Sequence, residues 1–489
     1  MKKWMQAAAA AVTAFALLSG GLSALPGGFS PADTAVTAEA VVASAKIEGD
    51  TLVLRGKVTR SMILMMSDMP EIKRVVAAEG TVLPDDCSYL FADKGDTSGS
   101  SRMAPFFNAV SIDLSKADTS RVRNMEGMFY HGYAKTLDLS GFDVSAVINM
   151  KDMFKGCGKL ETVYATENWN LENASGTDEM FLDSTKLVGG NGTQYDANHT
   201  GAEYARIDRD GENGYFTLTP ITQVSLSLTS DLGLNFYVNG ANSDNKNDYA
   251  VVFSGKCEEN GRQVKLNGKQ DLCYATANVS ADHMDEVITA DLYKVTGSEG
   301  EMEKIYTSSY SVNDYLANAK PEEDWSAEKK AAFEKLVQTV KTYGQVSRAY
   351  FTDGDVSGIE VPVYTAADLE DMGQKPDFDS SDAAISLVLN SRMAVRLYID
   401  GLNVGDQAAN GKKAVAGKDG RACFEFTGVS PVFMNMHPTL KYDDVLYQFS
   451  PLSWCWRVLD ADGGAPKNAA MANILVSYYQ DANAFKSAV

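Results

Sequence analysis

The chain has 489 residues, 45% hydrophobic, 10% aromatic and 22% charged, with 44 Lys and Arg against 65 Asp and Glu. That length allows roughly two to four domains with ordinary cores. The formal net charge of −21 argues against DNA, RNA or an anionic membrane as the main partner, because those need clustered Lys and Arg and no basic run is present.

In chain order, Lys2 and Lys3 precede the apolar run AAAAAVTAFALLSGGLSAL and a small-residue stretch reaching Ala38-Glu39-Ala40. This arrangement predicts a secretory signal peptide over 1–40, cleaved after Ala40, with Ala43-Ser44-Ala45 as the alternative site. Gly20, Gly21 and Pro26 leave the apolar run too short for a membrane-spanning helix. The apolar run ends without a cysteine for lipid attachment, and ANAFKSAV at the C-terminus has neither an apolar tail nor a sorting motif. Any retention on the cell is therefore expected to be non-covalent, with no membrane insertion after cleavage.

Two 18-residue blocks then repeat. IDLSKADTSRVRNMEGMF (112–129) is echoed by LDLSGFDVSAVINMKDMF (137–154), every matched position 25 residues on. A period of this size marks stacked units that cannot bury an apolar face alone. Ile112 and Leu114 flank Asp113, and Leu137 and Leu139 flank Asp138, the alternation of a short half-buried strand. Val122, Met125, Met128 and Phe129, with Val147, Met150, Met153 and Phe154, fall at helical spacing, so each unit reads as strand, turn and short helix. Asn124 and Asn149 share one phase, where a side-chain amide satisfies turn backbone. Degenerate copies end at Leu90-Phe91 and Met180-Phe181. These divide the region into an N-terminal cap with a first degenerate repeat (41–91) and repeats with a capping hairpin (92–220). The expected fold class is an α/β, leucine-rich-repeat-like solenoid of strand–helix repeats, followed by a duplicated α+β, β-rich module.

DTSRVRNMEGMF, FDVSAVINMKDMFKGCGKL and LVGGNGTQYDANHTGAEYARID resemble the 25-residue repeats of BspA-type leucine-rich-repeat-like bacterial surface proteins. The resemblance covers roughly residues 48–218 and is most specific in the Asn-Met-x-x-Met-Phe core. It implies extracellular display and adhesion or protein binding, and it supplies no catalytic residues.

After Pro220 the period vanishes. VSLSLTSDLGLNFYVNG (224–240) aligns without gaps to ISLVLNSRMAVRLYIDG (385–401). YSVNDY (310–315) matches FSPLSW (449–454), and YGQVSRAY (343–350) matches YYQDANAF (478–485). These blocks predict a tandem duplication, copy 1 over 221–351 and copy 2 over 383–489, each β-rich with a C-terminal helix. Leu336, Val340, Tyr343, Val346 and Tyr350 form the apolar stripe of the first long helix. The polar, acidic stretch 352–382 reads as a linker with one short helix. The match of order predicts one topology for both copies, with Tyr237 and Tyr398 in the same place on the same strand. The NFYVNG, TYGQVSRAYF, FSPLSWCW and YYQDANAF set also resembles a C-terminal module of secreted clostridial and ruminococcal proteins.

Chemistry is sparse. His131, His199, His283 and His437 lie in different segments, without metal-ligand spacing. No nucleophile elbow, phosphate loop or dinucleotide fingerprint is present. Cys87 and Cys157 sit beside repeat-core positions as buried thiols. Cys257 with Cys273, and more weakly Cys423 with Cys455, are candidate disulfides, and no CxxC spacing supports zinc. Asp208, Asp210 and Glu212 lack the full calcium-loop pattern and fit a hairpin turn. Trp454, Trp456 and Tyr447 are either a sugar platform or core. No catalytic, cofactor-binding or metal residue is therefore assigned, no cofactor is expected, and the partner-binding residues are unknown. Asp113, Ser115, Asp138 and Ser140, on the outer side of the strands, are the first positions to inspect for contacts.

The expected function is that of a secreted, non-enzymatic surface protein binding an extracellular protein or glycan through its repeats. One alternative is carbohydrate or cell-wall binding by the duplicated module. A second is an unrecognised hydrolase.

Overall fold

Ile112 and Leu137 lie between polar neighbours and are pressed inward to 3% and 1% exposure, which is why each repeat opens as a strand. In the computed structural model the described residues are 43–66, 72–92, 109–167, 169, 171–228, 232–270, 272–296, 301–352, 354–379, 381–389, 393–417, 419–461 and 465–488. The expected signal peptide lies outside them. Two compact units result, one ending at Thr222 and the other beginning at Gln223.

The first unit contains β1 (Ser44–Glu48), β2 (Thr51–Arg55), α1 (Arg60–Met66), β3 (Arg74–Ala77), β4 (Thr81–Val82), β5 (Ser111–Asp113), β6 (Ala117–Asp118), β7 (Thr136–Asp138), β8 (Thr162–Ala165) and β9 (Phe216–Leu218). One sheet runs β1-β2-β3-β5-β7-β8-β9. β1 and β2 are antiparallel and the later pairings parallel. Ile112 pairs with Leu137 and Leu137 with Val163, so the sheet register is the repeat register. A second column of bridges joins Asp86, Asn124, Asn149 and Gly176. Between the columns Phe91, Phe129, Phe154 and Phe181 stack at centroid spacings of 5.9, 5.7 and 5.2 Å. The closing segment carries the antiparallel bridges Val188–Gln194 and Arg209–Glu212 and adds β9 in parallel to β8.

The expected strand–helix solenoid is overturned. Among the described residues the only α-helix of this unit is α1, ahead of the 25-residue copies, and the chain is β-rich with several small sheets. The reason lies in the backbone. Tyr89, Gly127, Asp152 and Glu179, each two residues before its phenylalanine, have φ of 53°, 55°, 56° and 52°. His131, Gly156 and Asp183, two residues after, have φ of 54°, 72° and 63°. A right-handed helix cannot pass through left-handed residues. The apolar spacing is met instead by two successive turns, with Met125, Met128, Met150 and Met153 all at 0% exposure.

The second unit holds both C-terminal copies. Copy 1 comprises β10 (Ile221–Leu228), β11 (Leu232–Val238), β12 (Tyr249–Ser254), β13 (Gln263–Lys265), β14 (Asn267–Lys269), β15 (Leu272–Asn278), β16 (Ile288–Val295), β17 (Met302–Tyr310), α2 (Val312–Asn318) and α3 (Ala327–Thr352). After α4 (Ala366–Asp371), copy 2 comprises β18 (Ala383–Leu389), β19 (Met393–Ile399), β20 (Val415–Ala416), β21 (Ala422–Thr427), β22 (Thr439–Tyr442), β23 (Val445–Gln448), α5 (Pro451–Asp460) and α6 (Pro466–Ser487). The order β10-β11-β15-β14 recurs as β18-β19-β21-β20. Ser311 and Ser450 cap α2 and α5 at the same place, each through a reciprocal capping box. Copy 1 adds β12 and β13 to the β16-β17 hairpin, whereas β22-β23 stands as two strands. Tyr237 is half-buried against Tyr274, and Tyr398 is buried beneath the Arg421 guanidinium.

The stretch between the copies is fastened down. Tyr364 N–H donates to Asn473 Oδ1 at 2.9 Å and its hydroxyl to Gln480 Oε1 at 2.9 Å. Ser450 Oγ donates to buried Gln374 at 2.7 Å, and Leu369 is at 0% exposure. Among the described residues all six cysteines remain thiols, so neither Cys257 and Cys273 nor Cys423 and Cys455 are bridged.

Candidate interaction surface

The strands of the two matched copies, β5 and β7, each end in an Asp-x-Ser turn. Asp113 Oδ1 accepts from Ser115 N and Oγ at 3.0 and 2.6 Å, and Asp138 Oδ1 accepts from Ser140 N and Oγ at the same distances. Asp138 is only 6% exposed. These four residues, first in line for contacts on sequence grounds, therefore spend polar groups on closing the turn. Asn124 and Asn149 do likewise at the next corner, where their Oδ1 atoms accept from the Glu126 and Lys151 amides at 3.1 Å.

Past that corner the side chains turn outward. The Tyr89 ring lies against Gly127, where an added Cβ would meet it at 2.2 Å, and the His131 ring lies on Gly156, where a Cβ would come within 2.7 Å. Tyr89 and Tyr130 meet edge to face at 5.9 Å, and Tyr130 and His131 at 4.4 Å. Tyr89 hydroxyl donates to Glu126 Oε1 at 3.1 Å. Burial and the neighbouring Glu126 carboxylate push that phenol up to about 12, so it stays a donor. Lys155 bridges Asp152, at 3.3 Å, and Glu179. Tyr133, two residues after His131, is 44% exposed. The result is a ridge of rings edged by the carboxylates of Glu126 and Asp152. The repeat pattern does not mark these tyrosines. The available signal was the run FYHGYAK in one repeat where the next has FKGCGKL.

Other candidates resolve into structural roles. Asp208, 5% exposed, accepts from the amides of Asn191, Thr193 and Gly214 and from the Thr193 hydroxyl, which ties two loops together. Burial acts to raise its pKa, but those hydrogen bonds outweigh it and hold the carboxyl below its usual range. Ser280, Asp282 and His283 cluster, yet Ser280 Oγ and Asp282 Oδ1 both approach His283 Nδ1, at 3.2 and 3.0 Å. A relay triad needs its acid and its nucleophile on opposite ring nitrogens. Burial pushes the Cys87 and Cys157 thiols up to about 12, the reverse of an activated nucleophile. Tyr447 is buried and Trp454 packs on the copy 2 core. Trp456, two residues along the same helix, lies beneath the Lys375 ammonium at 5.3 Å. Among the described residues no group of His, Cys, Asp or Glu is arranged to hold a metal, and no helix is long and apolar enough to cross a membrane.

No curated protein and no solved structure matches this chain. The repeats that carry the BspA-type resemblance do match a family model, though not a leucine-rich-repeat one. Residues 99–204 are similar to the family described as "Mycoplasma protein of unknown function, DUF285".

Proposed function

We propose that the protein is a secreted bacterial surface protein without enzymatic activity, and that its repeat unit binds an extracellular macromolecule. The observation that carries this reading is the set of adjoining rings of Tyr89, Tyr130 and His131 on the outside of the stacked repeats. Rings that lose little entropy on contact are effective anchors for a protein or glycan partner. The reading rests also on the signal-like N-terminal sequence and the match of the repeats to a family model. Immobilised mature chain exposed to mucosal and bacterial-surface extracts is expected to retain a saturable ligand. Retention of nothing, or turnover of a glycan or peptide, would count against it.

Cleavage after Ala40 leaves β1 whole. Cleavage after Ala45 removes Ser44 and Ala45, which pair with Arg55 and Leu54. Mass spectrometry of the secreted form is therefore expected to place the mature N-terminus at Val41. A start at Lys46 would contradict this.

A further inference from the structure

The two long helices of the duplication pack on each other. Phe333 lies against Phe485 at 5.8 Å, Tyr343 against Tyr478 at 5.3 Å, and the Lys467 ammonium over the Tyr350 ring at 5.7 Å. Partners climb along α3 as they descend along α6, so the helices are antiparallel. Tyr343 and Tyr478 are equivalent residues of the two copies, so the pairing is close to two-fold symmetric about them. One buried group breaks the symmetry. Asp481, 2% exposed, accepts from Thr339 Oγ1 at 2.6 Å and Ser477 Oγ at 3.3 Å, and its other oxygen meets Lys335 Nζ at 2.9 Å. In the alignment that equates Tyr343 with Tyr478, Asp481 corresponds to Val346 and Thr339 to Ile474. Both are apolar and buried, at 0% and 1% exposure.

We propose that Asp481 is the pairing key of the C-terminal unit: it makes α3 the partner that α6 accepts, so that the two copies close on each other and not like on like. Against a second α6, Asp481 would face Ile474, with neither the Thr339 hydroxyl nor the Lys335 ammonium. A buried carboxylate without those partners is strongly disfavoured, and single buried polar groups are known to set register and partner choice. Two α3 helices would bring no such charge together, so the key acts on the copy 2 side.

While both copies share one chain, their high effective concentration masks the choice. The test therefore uses the full chain with a protease site introduced at Gly358, an exposed residue with open space around it. After cleavage, light scattering and mass spectrometry read which halves associate. Wild type is expected to remain one complex of unlike halves. Asp481→Val is expected to raise the like-with-like complex of the C-terminal half by about tenfold or more. Unchanged exclusivity in Asp481→Val, or separation of the wild-type halves, would overturn the proposal. Should Asp481→Val not fold, Asp481→Asn decides. A partial loss of exclusivity supports the key, and exclusivity equal to wild type removes it.

Discussion

The left-handed residues of the repeat turns can be tested singly. Gly127, at φ 55°, has no room for a Cβ beneath the Tyr89 ring, whereas Glu179 holds the same turn position at φ 52° as an exposed side chain. Gly127→Ala is expected to cost roughly 1–3 kcal/mol. Glu179→Gly relieves the backbone while losing its exposed Lys155 contact, and should leave stability close to that of wild type. Urea unfolding checks both, and equal losses would mean that the turn does not discriminate. Asp208 gives a pH test. Its folded pKa is depressed, so its stabilising contribution is present above the ordinary carboxylate range and lost as pH falls through the folded value. Wild type should exceed Asp208→Asn in stability at neutral pH, and the gap should close below about pH 4. A gap independent of pH would show that the carboxylate charge is not what holds the two loops.

The elements show what patterning conveys and where it is ambiguous. Alternation about Asp113 and Asp138 pointed to strands, and β5 and β7 are there, paired in the register of the repeat. Spacing of three and four residues pointed to helices, but two consecutive turns bury the same positions. Asp152 and Glu179, ordinary residues for a helix, gave no warning of a positive φ; Gly127 and Gly156 were the visible hints. The duplication was legible because order persisted across blocks, and the strand order repeats accordingly. The segment 352–382 looked like a linker since its polar residues outnumber its anchors, yet Tyr364, Leu369 and Gln374 suffice to seat it. The ridge was not legible, because Tyr89 and Tyr130 come together only when the repeats stack. Stacking is also what the phenylalanine column supplies. Phe154, at 0% exposure between Phe129 and Phe181, is expected to cost about 3–5 kcal/mol on replacement by alanine. Loss of less than about 1 kcal/mol in thermal unfolding would mean that the column is not the core of the unit.

At the scale of the molecule, a repeat unit displaying an aromatic ridge and a self-paired duplicated unit are carried on one acidic chain. The proposed binding role rests on the ridge. The most direct measurement is the affinity of the captured ligand for wild type and for the Tyr130→Ala/His131→Ala variant, with circular dichroism confirming an unchanged fold. Two ring anchors lost from one surface predict weakening of about tenfold or more. Affinity equal to wild type in this variant would place binding elsewhere and contradict the account.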